Sequence, residues 1–496
     1  MTTQQSRRSF LKAATAVTFG TLAAPYVLRA SAQTGGKYLK VRRNATQMPA
    51  SDPFFSDYAE AIRAMHETQF EEVGAWRLQS LTHLQHCPHG AIDFTGWHRQ
   101  YITYFETMCG ELIGKPDFSL AYWDWTEKSG RLPATFFANA PLNVTFWNDP
   151  SDAQSDNWSP FPVRTVGTRA INVNNGLRDD PQRGGAFTPE NIASIQRLPS
   201  FDLFSGRLEG SPHNSGHVIA GGGNGHMSSG MSPLDPAFWM HHCNVDRIWA
   251  EWQAAGNITP DIPRNYDNQF LLVDGGRATG VTADNARDFE AMGFTYDTLA
   301  ESLVSMNTLM NFPSETQQGI LASIPAAQPQ SIGSLTANAT ARPFIPTELD
   351  VAATGLVAGL FAPRTFRPMG EFTEKRLAVG EGRILAKLSH VTATGAVNRM
   401  LTNVFVNCPY LSPETPYDDP HYADTFSFFM PAGKEGMDHG RDFVVDITDP
   451  IRIQAGEGRI ASEDIKIQLM PLPLQGQAED TADASFSIGK VEILSV

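Results

Sequence analysis

Histidine is the residue that most restricts this chain. Of its thirteen histidines, His83, His86, His89 and His98 form one group and His213, His217, His226, His241 and His242 a second, leaving only His66, His390, His421 and His439 apart. The flanking sequence says where the fold must put them. YITYFETMCGELI, after His98, and FWMHHCNVDRIWAEWQ, from Phe238 to Gln253, carry apolar residues at helical spacing, so each group stands at the start of an amphipathic helix. In SPHNSGH, His213 and His217 are four residues apart, which on a helix puts both imidazoles on one face within reach of one ion. His241 and His242 are adjacent and point about 100° apart on a helix, so one can join that ion while the other packs. Six imidazoles in two sets of three, with no thiolate or carboxylate at ligand spacing, suit copper, zinc or iron. The zinc-protease motif HExxH is absent.

At 496 residues the chain is long enough for two folded units and a non-structural segment. A hydrophobic share of 41% and a charged share of 18% describe a globular protein, and the net charge of -15 argues against nucleic acid or an anionic membrane as partner. Residues 1–32 read as a twin-arginine export signal: SRRSFLK precedes the apolar run ATAVTFGTLAAPYVL, which ends in Ala30-Ser31-Ala32. That implies the twin-arginine export machinery as a partner, a periplasmic or secreted protein, and no stable membrane insertion once the signal is removed. Cys87, Cys109, Cys243 and Cys408 form no CxxC pair, and four cysteines are too few for a disulfide framework. Residues 33–322 are rich in aromatics and mainly helical with long loops, 139–200 being loop-like throughout. SIPAAQPQSIGSLTANATARP, residues 323–343, loses charge and aromatics and reads as a linker. From 344 to 496 the runs RILAKLSHV, NRMLTNVFVN, TFSFFM, RDFVVDI and IKIQLMPL alternate with turn residues, as an antiparallel β domain does.

WRLQSLTH, CPHGAIDFTGWHR, LEGSPHNSGH and SPLDPAFWMHHCNVDRIWAEW, together covering residues 76–252, resemble the type 3 dicopper proteins: tyrosinase, catechol oxidase and hemocyanin. The β-rich tail is similar to the C-terminal domain that many of these enzymes carry. The resemblance implies a catalytic domain built on a four-helix bundle, a β-sandwich or barrel behind it, and two copper ions. It makes His89 and His98 ligands of the first copper. Trp76, seven residues before His83, selects His83 as the third, with His86 the alternative and His66 a more distant one. For the second copper it gives His213, His217 and His242, with His241 as a non-ligand neighbour and Phe238 as an aromatic packed over a ligand. Cys87, two residues before His89, matches a cysteine that in relatives is joined to that ligand by a thioether.

The implied activity uses dioxygen to hydroxylate monophenols and oxidise o-diphenols to o-quinones, the chemistry of melanin formation. An o-diphenol or o-aminophenol oxidase is the nearer alternative and an oxygen carrier the more remote one. A phenol of pKa about 10 must lose its proton before hydroxylation. Glu209 as base and Asn214 as holder of a water against it fit that step by resemblance. Ser229, thirteen residues before His242, stands where relatives place a bulky gate, so the gate is small here. His226 belongs to the substrate pocket or the surface, and Arg99 to an ion pair. In relatives the C-terminal domain plugs the site until a protease acts in the linker, and Tyr410 and Leu411, in FVNCPYLSPETPYDD, are the candidates for such a plug; the alternative is a permanently docked stabilising domain over an open site.

Overall fold

The computed structural model describes residues 40–70, 73–138, 140–148, 165–299, 329–356, 382–429, 441–460 and 464–496. The expected export signal lies outside the described residues. Strand β1, Lys40–Asn44, opens the first unit. Helix α1, Pro53–Glu67, follows, with Asp52 accepting from the Phe54 amide at its N-cap and Pro53 in its first turn, where a missing N–H is harmless. Helix α2, Ala75–His86, stops where Pro88 disfavours helical backbone at the residue before it, and Cys87 is extended. Cys87 and His89 therefore sit on a loop folded against the end of α2. Helix α3, Phe94–Leu112, carries His98 in its second turn and is buried over most of its length. Strand β2, Ala121–Tyr122, pairs in parallel with β1.

The stretch expected as loop from 139 to 200 contains helix α4, Pro189–Gln196, capped by Thr188, whose hydroxyl accepts from the Asn191 amide. A threonine followed by proline is a helix start, but two turns are too short to show a period. Helix α5, Phe201–Leu208, runs into a single π turn, Glu209–His213, and then into helix α6, Asn214–Gly221. Pro212, which has no amide hydrogen to give, lies inside the π turn. Helix α7, Ala237–Ala254, is buried along nearly its whole length, with His241 and His242 in its second turn. Strand β3, Phe294–Tyr296, pairs with β1 on the side opposite β2, so one small parallel sheet ties the start of the unit to its end.

The second unit holds strands β4 Gln330–Ala341, β5 Thr347–Ala352, β6 Ile384–Thr394, β7 Met400–Val406, β8 Tyr422–Ser427, β9 Arg441–Asp446, β10 Asp464–Pro473 and β11 Ser485–Ser495. They form two four-stranded antiparallel sheets, in the orders β8-β7-β10-β5 and β9-β6-β11-β4. Val351, Val404 and Ile467 from one sheet share a core with Leu388, Val445 and Val491 from the other. The five alternating runs read from the sequence all become strands. The expected linker does not end at 343: β4 occupies most of it and pairs with β11 from Ser495↔Gln330 to Phe486↔Ala341. Leu335, Ala337, Ala339 and Ala341 turn inward there, and such small residues give little hydrophobic contrast to read.

The units meet over a mixed interface. Leu385, Val444, Leu494 and Val496 of the β unit join the hydrophobic core of the helical unit. Arg207 of α5, fully buried, reaches Asp424 at 3.0 Å and Asp446 at 3.3 Å. Ser211 donates to Asp424 at 3.0 Å, and Asn403 donates to the Gln182 carbonyl at 2.7 Å.

A second buried charge cluster lies inside the helical unit. Asp246 of α7 accepts from Arg99 of α3, from Arg42 of β1 at 3.1 Å and from the Tyr296 hydroxyl at 2.6 Å. Arg42 also pairs with Glu106 at 3.1 Å, and Arg99 lies 3.5 Å over the Trp249 ring. Removing one partner of a buried pair leaves the others charged and desolvated. Asp246→Ala is expected to cost about 3–5 kcal/mol of stability, read from urea unfolding, and a change below about 1 kcal/mol would show the cluster to be dispensable.

Candidate metal centre

Six imidazoles converge where α2, α3, α6 and α7 come together. Ring centroids in one set are 5.3 Å apart for His83–His89, 5.6 Å for His83–His98 and 5.4 Å for His89–His98. In the other they are 4.7 Å for His213–His217, 4.9 Å for His213–His242 and 5.4 Å for His217–His242. The sets face each other, with His98 stacked on His242 at 4.2 Å.

Hydrogen bonds orient the rings. His83 Nδ1 donates to the Gly230 carbonyl at 2.9 Å, His98 Nδ1 to Phe94 at 2.8 Å and His217 Nδ1 to Met227 at 2.8 Å. His213 Nδ1 donates to Asn214 Oδ1 at 2.9 Å. A carbonyl only accepts, so each of these rings carries its proton on Nδ1 and its lone pair on Nε2. Among the described residues, the buried Nε2 atoms of His89, His98 and His213 have no hydrogen-bond partner, and the Nε2 atoms of His217 and His242 lie 3.2 Å apart. Burial first, and neighbouring imidazoles second, hold His89, His98, His213, His217 and His242 well below the ordinary imidazole pKa. Neutral rings with inward lone pairs are what borderline transition metals require, and copper fits this donor set.

The remaining histidines separate by environment. His86 is exposed at the end of α2, while His66 stacks on Trp147 at 3.6 Å and lies 5.4 Å from Trp76, away from both sets. His226 is buried against the Thr165 hydroxyl beneath the glycine-rich loop. His241 packs 4.9 Å from Trp125 and 4.6 Å from His217. It has room only because residue 216 is glycine: an added Cβ there would stand 2.4 Å from His241 Cε1.

Cys87 Sγ is 3.1 Å from His89 Nδ1. Phe238 packs 4.3 Å from His242 and 5.0 Å from His83, over rings of both sets. Ser229 is engaged in its own turn, donating to the His226 carbonyl and accepting from the Met231 amide, and adds no bulk. Arg99 is the ion-pairing residue beneath the centre. Glu209, in the π turn, accepts from the Gly90 amide at 2.6 Å. Burial pushes its carboxyl up to about 7 against the opposing charge of Arg441. Asn214 Nδ2 donates to the Ser427 carbonyl of the β unit at 2.9 Å.

Two aromatic rings at the centre escaped the sequence reading. Phe94 sits between the sets, 4.7 Å from His98 and 4.6 Å from His213. Phe429 comes from the β unit, fully buried, stacked on His217 at 4.2 Å and edge-on to His89 at 4.9 Å. The expected plug residues are elsewhere. Tyr410 is 57% exposed and its hydroxyl donates to Asp419, while Leu411 packs against the Phe405, Cys408, Met470 and Leu472 cluster. The signal was present in TFSFFM: neighbouring residues of an extended segment point to opposite faces, so with Phe428 in the β core, Phe429 must face out of it.

The sequence family described as the common central domain of tyrosinase matches residues 57–255. A tyrosinase of Streptomyces glaucescens is 32% identical over 199 residues, 35% of this chain and 70% of that protein. The chloroplastic polyphenol oxidase of Spinacia oleracea is 26% identical over 300 residues, which are 52% of this chain and only 47% of that relative. Among solved structures, a recombinantly expressed latent aurone synthase (polyphenol oxidase) superposes with a TM-score of 0.58 at 16% identity, over 93% of this chain and 90% of that one, a likeness of fold.

The contact beneath His241 is testable without any metal. Gly216→Ala is expected to destabilise the metal-free protein by about 1–3 kcal/mol through overpacking, read by urea unfolding, because a buried ring and helix have to move apart.

Proposed function

The chain belongs to the type 3 dicopper tyrosinase and polyphenol oxidase family, and on that premise we propose that it is a copper enzyme that uses dioxygen to oxidise phenols, hydroxylating monophenols and converting o-diphenols to o-quinones. The observation that carries this reading is the pair of buried imidazole triplets whose lone pairs converge. On this reading His83, His89 and His98 would hold the first copper and His213, His217 and His242 the second. Copper, when bound, supplies the redox chemistry that passes electrons from a phenol to dioxygen.

The protein's own part is positioning and proton transfer. Backbone carbonyls fix the ligand rings, while Phe94 and Phe238 keep water from their faces. Glu209 takes the proton of a monophenol: a carboxyl raised to about 7 is a better base than an exposed one and is still ionised in mildly alkaline solution. Asn214, beside His213, holds a water toward it. The 3.1 Å approach of Cys87 Sγ to His89 supports a thioether there, formed with loss of the thiol hydrogen and one ring C–H hydrogen, the electron pair passing to dioxygen. Phe429 is the ring that stands where substrate would, so the docked β unit keeps the centre closed; the similar aurone synthase structure is described as latent. Export through the twin-arginine route and activation by a protease rest on the sequence reading, and among the described residues no helix is long and apolar enough to cross a membrane.

A second reading, an o-diphenol oxidase without hydroxylation, draws on one observation: the Asn214 amide is already engaged by His213 and Ser427.

Metal analysis separates the ligand candidates: His83→Ala is expected to lose bound copper and His86→Ala to retain the full content, the reverse result favouring His86. Phe429→Ala in the full chain should raise o-diphenol oxidation by at least about tenfold, followed as quinone formation. In that variant, monophenol hydroxylation should fall as pH drops below about 7, because the base must be ionised and its pKa is raised, and o-diphenol oxidation should not share that limb. A common limb for both substrates would remove Glu209 from the mechanism.

A further inference from the structure

We propose that the β unit determines which phenols the centre accepts as well as whether it is open: the Ser427 carbonyl holds Asn214 and the Arg441 guanidinium lines the same cavity as Glu209, so a docked chain relieved of the Phe429 ring oxidises o-diphenols but hydroxylates monophenols poorly. This rests on the reading of Glu209 and Asn214 as the pair that serves hydroxylation.

The two groups are distinct from the Phe429 ring itself. Asn214 has its Oδ1 on His213 Nδ1 and its Nδ2 on the Ser427 carbonyl, each at 2.9 Å, and the Ser215 and Ser427 hydroxyls are 3.3 Å apart beside it. With its oxygen on His213 and one N–H on the β unit's carbonyl, the amide plane is fixed by the docked β unit, and a single N–H remains to position a water for Glu209. Glu209 in turn is held by the Gly90 amide and lines a cavity of about 190 Å³ between the units, together with Asn214, Lys387 and Arg441. Lys387 is paired with Asp442 at 2.9 Å. Among the described residues Arg441 makes no ion pair. Its Nη1 donates to the Phe429 carbonyl at 2.9 Å, and its charge acts on Glu209, weakening it as a base. One arginine of the β unit thus touches the backbone of the plug and faces the base. Oxidation of an o-diphenol needs no separate base, so these contacts bear on monophenols alone. Arg441 is a positioning residue.

The experiment uses the copper-loaded full chain with p-cresol and 4-methylcatechol as a matched pair, each assayed at its pH optimum. Phe429→Ala opens the centre and sets the reference ratio of kcat/KM for the two. Asp424→Asn, added to it, weakens the Arg207 clasp and the Ser211 bond to the same carboxylate, and small-angle scattering reports whether the units separate. Where that variant melts early, Asn403→Ala, which removes the bond to the Gln182 carbonyl, takes its place. The ratio of p-cresol to 4-methylcatechol is expected to rise about tenfold or more on separation, within the range that a general base contributes. Arg441→Gln should raise it in part while the units stay joined, and Arg441→Lys should restore the reference value. A ratio constant within about twofold across these variants would overturn the proposal and leave Phe429 as the only lock. No hydroxylation of p-cresol even by the separated form would overturn the base assignment, and this inference with it.

Discussion

The bond between Arg99 and Asp246 is the constraint on which the metal centre depends. Arg99 directly follows His98, and Asp246 lies one helical turn after His242, so a single ion pair locks the two helices together at the level of their clustered imidazoles. Arg42 extends the lock to the small sheet, and Glu106 closes it on the far side. Such a cluster is costly to bury and gains its value only from complete pairing. A sliding of α3 against α7 would break this pairing, so the spacing of the imidazoles is held by groups outside the histidine cluster.

The β unit is attached in the same manner. Arg207 brings one buried cation to two carboxylates of the other unit, and four apolar residues of the β unit finish the hydrophobic core of the helical one. The interface is therefore more than a cap. It places Phe429 against His217 and His89, and it brings a backbone carbonyl and a guanidinium to the residues beside them.

Much of this was legible in the sequence where side-chain period and residue chemistry coincide. The alternating runs from Arg383 to Leu472 became strands because their inward residues are large and apolar, and His213 and His217 meet because four residues make a turn. The failures have physical causes. Strand β4 is lined by alanines, whose contrast with serine and threonine is too weak to show alternation. Helix α4 is shorter than the window in which a helical period appears, though Thr188 and Pro189 announce it. His83 and His86 both lie in α2, His83 buried and His86 exposed at its last residue, a difference in burial that two histidines three residues apart do not announce. Tyr410 and Leu411 lie in a loop, the kind of segment that commonly carries function, whereas the ring that reaches the centre lies just past the end of β8, where Phe428 and Phe429 take opposite faces.

The carbonyls of Gly230, Phe94 and Met227 have one more consequence. They belong to turns and helices that exist for their own reasons, and they select the tautomer of three ligand rings without help from an ion. The orientation of these rings is thus written into the polypeptide's own hydrogen bonds, where a zinc finger would need its ion in order to fold at all.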